Sequence, residues 1–191
     1  MSIFTTTVAA SADDAQESAG TVTLTDLVIN CNNTGQYGGF RFLNVTIPAG
    51  STINSASISL NFISTSYDSP EVNIYCEDVD DATTFAAGAN NISGRTLTTA
   101  YTYWDATNIG TGVKVSPDFA AAVQEVIDRG GWTSGNDLNV IIKGNAATSE
   151  FRVSTWDSAN PEAQLDIDYT APAGGGGQPP RTLHQFRQRG L

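Results

Sequence analysis

The densest group of chemistry-bearing side chains is the acidic run Glu77, Asp78, Asp80 and Asp81. Several carboxylates on one loop could hold Ca²⁺ through hard oxygen ligands. The spacing is not that of an EF-hand, because Ala82 falls where a ligand is needed and no glycine follows. The competing reading is a solvated acidic loop beside a strand end. No cofactor is otherwise expected. Paired carboxylates also serve glycoside hydrolysis, which needs two at a defined separation. With 20 acidic residues in the chain, finding two carries no signal. No catalytic residue is assigned, and the expected class is non-enzymatic.

Trp104, Trp132, Trp156, Tyr37, Tyr67, Tyr101 and Tyr103 could supply an apolar platform for a sugar ring. Trp156-Asp157, on a loop after Arg152, is the best placed for exposure, and Tyr37 in a glycine-rich stretch is next. Tyr37, Arg152, Trp156 and Asp157 are therefore the candidate glycan contacts. Trp132 follows a helix stop, where it is expected to pack as core. The glycine run 174–177 is followed by Gln-Pro-Pro, with no lysine and no helix to cradle a phosphate.

The single histidine, His184, lies near the C-terminal end of the sequence. The body thus lacks the parts for Ser-His or Cys-His catalysis and for a histidine-ligated metal. Cys31 and Cys76 show no metal-ligand spacing and leave either one disulfide or two buried thiols. The opening residues have neither a basic start nor an apolar run of signal-peptide length, which favours thiols. No stretch is apolar enough for a membrane-spanning helix. Sequons at Asn32, Asn44 and Asn91 are expected to be incidental in a chain so rich in Asn, Ser and Thr.

Charge divides the chain. Residues 1–172 hold all 20 acids and 6 bases, a net charge of −14, whereas the last eleven residues hold Arg181, Arg187 and Arg189 and no acid. A body of that sign would be repelled by nucleic acid and by anionic lipid. Between the two lies 171–180, Ala-Pro-Ala-Gly-Gly-Gly-Gly-Gln-Pro-Pro, a linker by composition. Fully extended, residues 173–191 would reach ~60 Å at ~3.3 Å per residue. The arginines alternate with Leu183, Phe186 and Leu191. The segment therefore offers charge and apolar anchors together, as a docking peptide does.

The elements that must position these residues are strands. Residues 56–62 are apolar at every second position, as are 72–76 and 165–169. Further strands are expected at 22–24, 27–30, 40–45, 97–103, 138–142 and 151–155, separated by turn clusters such as 34–39 and 47–51. Eight or nine short strands predict an all-β, jelly-roll-like antiparallel sandwich over residues 1–170. One helix is expected at about 117–129, with Ser116 as N-cap, Pro117 and Asp118 in its first turn and Gly130-Gly131 at its end. Its apolar stripe is Phe119, Val123, Val126 and Ile127, suited to capping one open end of the sandwich.

Several segments carry a resemblance: 13–17, 40–50, 74–78, the block 118–132 and 163–169. Together they resemble a family of lectin-like, carbohydrate-binding-type β-sandwich modules found in bacterial and phage surface proteins. The resemblance covers most of residues 12–170 and implies a sandwich with strands, a Pro-Gly corner and a helix. It implies no catalytic set. With the charge division it leads to the expectation of a virion structural protein, a capsid decoration protein made in the host cytoplasm. In this expectation Arg181, Leu183, Phe186, Arg187, Arg189 and Leu191 dock into a larger protein assembly such as a capsid or tail. The alternative is a carbohydrate-binding adhesin of a phage fibre or bacterial surface, meeting a surface glycan outside the cell. Neither expectation includes nucleic acid or membrane insertion.

Overall fold

The computed structural model describes residues 1–64, 70–145 and 151–173. Among them the chain forms, in order, β1 (Ser2–Thr7), a 3-10 turn (Ser11–Asp13), β2 (Asp14–Ser18), β3 (Thr21–Thr23), β4 (Val28–Asn30) and β5 (Gln36–Phe42). There follow β6 (Thr52–Phe62), β7 (Glu71–Cys76), β8 (Gly88–Ala89), β9 (Thr102–Asp105) and β10 (Gly112–Val115). The helix α1 (Ala120–Ile127), β11 (Leu138–Gly144), β12 (Arg152–Ser154) and β13 (Gln164–Thr170) complete it.

Two antiparallel sheets pack face to face. The first runs β1-β13-β6-β12-β4, with β10 also on β6; the second runs β8-β3-β2-β5-β11-β7-β9. Strand β6 organises the first sheet. One of its edges pairs with β13 and then, at Phe62, with β12, while the other takes β10 from Ser59 to Phe62. The alternation expected of residues 56–62 is present: Ala56, Ile58, Leu60 and Phe62 are buried, and the residues between them are not. Val72, Ile74 and Cys76 on β7 answer from the second sheet, and all three belong to the shared core. Phe62, Trp104 and Phe151 meet edge to face, with ring centroids 4.9–5.6 Å apart, and join the two sheets. Cys31 and Cys76 are both buried and unpaired.

Three expectations about the strands are corrected. Strands begin earlier than residue 20, because β1 pairs with β13 over Ser2–Thr7 and β2 pairs with β5. β2 reads Asp-Ala-Gln-Glu-Ser and lacks aliphatic alternation, so its polar side chains must be satisfied inside. Gln16 Oε1 accepts the Asn30 backbone N–H at 2.6 Å and its side-chain amide at 2.8 Å. The glycine-rich stretch 34–39 is not wholly a turn, since β5 starts at Gln36. Gly39 is needed there for close approach: a Cβ would lie 2.4 Å from Cζ of Phe85, whose ring rests on the sheet at this point. Finally, 97–103 is mostly irregular, with one bridge from Leu97 to Glu77, and the strand there is β9.

The helix is shorter than 117–129, and Ser116 is not its cap. Residues 116–119 instead continue along the free edge of β6. The Ser116 N–H donates to Ile58 O at 2.9 Å and the Phe119 N–H to Ala56 O at 3.0 Å. In return Ser116 Oγ accepts from Ile58 N–H and Asp118 Oδ1 from Ala56 N–H. Pro117 holds Ser116 extended, and that extension keeps the pairing. Asp118 Oδ1 also accepts the Ala120 N–H, which starts the helix at that residue. The stripe is as expected: Phe119, Val123, Val126 and Ile127 are buried. Helix α1 packs on β6 of one sheet and β7 of the other. Trp132 is buried beyond it, its indole N–H donating to Ile47 O at 2.9 Å.

Candidate functional site

The acidic run follows β7 and begins a long excursion, residues 77–100, across the outer face of the second sheet. Phe85 and Ile92 pack there with Ala15, Val22 and Ile141 in a small core separate from the main one. Arg95 locks the excursion. Its guanidinium stacks 4.7 Å from the Phe85 ring, pairs with Glu77 at 2.6 Å, and donates to the carbonyls of Thr83, Thr84 and Asn91. Glu17, buried in β2, accepts the N–H groups of Ile92 and Ser93, both at 2.8 Å.

The four acids are thereby separated in role. Glu77 faces Arg95 and Asn139; Asp78 and Asp80 both bind Arg129; Asp81 Oδ1 accepts the Asp137 N–H. Among the described residues no three acidic, cysteine or histidine side chains are grouped to hold a metal ion. These carboxylates tie the excursion to β11 and to the segment following α1.

The glycan candidates fall in different places. Tyr37 is half-buried on β5, packed into the outer core with the Lys143 ammonium 5.9 Å from its ring centroid. Arg152 is half-buried on β12, opposite Asn30 of β4. Trp156 is 41% exposed on the loop after β12, as expected of it, and Asp157 beside it accepts the Ser11 hydroxyl at 2.6 Å. Tyr67 and all six docking residues, Arg181, Leu183, Phe186, Arg187, Arg189 and Leu191, lie outside the described residues, as does His184.

Beneath Trp156 lies a group that the sequence did not single out. Asp14, the first residue of β2, is 1% exposed, and its Oδ2 accepts the Trp156 backbone N–H at 2.7 Å. Its Oδ1 is buried with no hydrogen-bond partner among the described residues. Burial lifts this carboxyl to about 7; the Trp156 amide opposes the shift, and the nearby charges of Asp157 and Asp13 add to it. Asp13 is neutralised by Arg41, which it meets at 2.9 Å, but no cation among the described residues pairs with Asp14. The only hint in the sequence is two adjacent acids, Asp13-Asp14, at the head of a strand whose one apolar residue is Ala15.

No protein-family model matches the chain, and no curated protein matches it. The described surface holds one exposed tryptophan on a pinned loop, a body rich in acids, and no pocket.

Proposed function

We propose that the chain is a non-enzymatic structural protein of a virion, a decoration module that projects its sandwich and is held by its C-terminal segment. The observation that carries this reading is the charge division: −14 over residues 1–172, then Arg181, Arg187 and Arg189 without an acid after a Gly-Pro linker. An apolar residue between cations gives both attraction and a pocket-filling anchor, the combination that concentrates binding energy in few residues. Residues 171–173, where the linker begins, are exposed at the end of β13. Arg41, Arg95 and Arg129 are spent on ion pairs within the fold, whereas the arginines beyond residue 180 come with no acid near them in sequence. The lectin-like resemblance supports a surface module of this kind.

The test is sedimentation of the particle fraction from producing cells with the full chain and with a chain lacking residues 173–191. The full chain is expected to co-sediment with particles and the truncated chain to stay at the top of the gradient. Full occupancy by the truncated chain would remove the docking role, and a full chain found only in the light fraction would remove the assembly itself.

A second reading, a carbohydrate-binding adhesin, is favoured by one observation, the exposed Trp156 beside Asp157. It predicts saturable binding on a glycan array that is lost in Trp156→Ala. Tyr37, being packed in the outer core, would not share that contact.

A further inference from the structure

The loop after β12 is fastened by bonds between side chains and backbone, and by Asp157 accepting the Ser11 hydroxyl. Thr155 Oγ1 donates to Asp26 O at 2.7 Å, Ser158 caps back onto Thr155 O at 2.7 Å, and Trp156 N–H reaches Asp14. The first two bonds keep the same strength at any pH near neutral. The third ends on a carboxyl that is sealed from water, has one oxygen unpartnered, and stands next to two other carboxylates. Charged groups on the elements around it are Asp13 on the 3-10 turn, Arg41 on β5, Asp26 before β4, and Arg152 and Asp157 from β12 and its loop. Arg41 is engaged by Asp13 and Asp137, Asp157 by Ser11, and the Asp26 carboxylate by the Thr23 hydroxyl. The charges that act on Asp14 are those of Asp157 and Asp13, both of its own sign.

We infer that Asp14 is a proton-operated latch for the Trp156 loop: protonated, it closes the loop and fixes the indole at the surface; ionised, it favours an open loop that lets water reach the carboxylate. The charged form does make a stronger bond to the Trp156 N–H. Sealing an uncompensated anion beside Asp13 and Asp157 costs more than that bond returns, and burial is the largest influence on the group. The sign follows from linkage. In the open loop Asp14 titrates at an ordinary value of about 4, whereas closed it titrates at about 7. Closure is thus fully supported below the lower value and loses support as pH rises toward the upper one. Above that, both states are ionised and the balance stays constant. The consequence is a surface tryptophan whose presentation is pH-dependent, firm in mild acid and loose at neutral pH and above.

Hydrogen exchange at the Trp156 amide, read by NMR on the full chain and referred to the intrinsic exchange rate at each pH, tests this. The opening equilibrium is expected to rise about tenfold per pH unit between about pH 4.5 and 6.5 and to level off above about pH 7. Asp14→Asn, which keeps an acceptor for the amide but cannot ionise, should make the profile flat. Asp157→Asn removes a repelling charge and should move the plateau to lower pH. A wild-type profile without pH dependence, or an Asp14→Asn profile that keeps the slope, would overturn the latch. If Asp14→Asn fails to fold, the ¹³C carboxyl shift of Asp14 in the wild-type chain decides. A midpoint near neutrality supports the inference, and one in the ordinary carboxylate range refutes it.

Discussion

Phe62→Ala is expected to lower the unfolding free energy by about 4 kcal/mol, within the usual range for emptying a core phenylalanine site. Phe62 ends β6 and is 1% exposed. Its ring meets Trp104 of the second sheet at 5.6 Å and Phe151 at 4.9 Å, and those two meet each other at 5.5 Å. Alanine would remove the shared member of a three-ring contact, and the remaining rings, Trp104 on β9 and Phe151 just before β12, belong to opposite sheets that cannot readily close the gap. The loss therefore includes apolar transfer and a residual cavity. Urea unfolding followed by tryptophan fluorescence measures it, because Trp104 reports directly on the site. Phe62→Leu, which refills most of the volume, should cost about 1–1.5 kcal/mol. Equal costs for the two variants would show that the cavity is not the cause.

Arg95→Ala is expected to cost about 3–5 kcal/mol, the range for leaving one member of a buried ion pair without its partner. The Arg95 and Glu77 side chains are 8% and 12% exposed. Arginine at this position also satisfies three backbone carbonyls and covers the Phe85 ring. The loss should be local before it is global. Amides in residues 83–97 are expected to lose exchange protection first, while those of β6 and β13 keep theirs. Arg95→Lys retains charge but not the planar fork that reaches several acceptors at once, so it should recover only a minor part. Full recovery by lysine would reduce the site to a simple charge pair.

Much of the sandwich was legible because alternation is a local signal. β6 from Ala56 onward, β7, and β13 at Leu165 and Ile167 bury alternate residues, and their own sequences say so. β2 was not legible, because its polar side chains are satisfied by residues of β4 and of the 77–100 excursion, far away in sequence. The helix start was misplaced for a related reason. Ser116 has the type of a cap but spends its oxygen on β6, and Asp118 Oδ1 is shared between β6 and the first helical N–H. In the candidate site, the exposure of Trp156 could be anticipated from its loop. The burial of Asp14 could not, since it arises from a contact spanning 142 positions. The run from Glu77 to Asp81 was visible as charge, whereas its cations, Arg95 and Arg129, were visible only after folding.

The place of β13 between β1 and β6 governs the order in which the molecule can assemble. Ser2 pairs with Tyr169, and Thr52 with Thr170. During synthesis β1 and β6 both wait with open edges until residue 170 has emerged, although the strands of the second sheet are complete by Gly144. Contacts so distant along the chain make folding slow and leave pairing-competent edges exposed in the interim. The first sheet is therefore the late-forming half, and its last strand is the one that leads directly into the Gly- and Pro-rich residues 171–180.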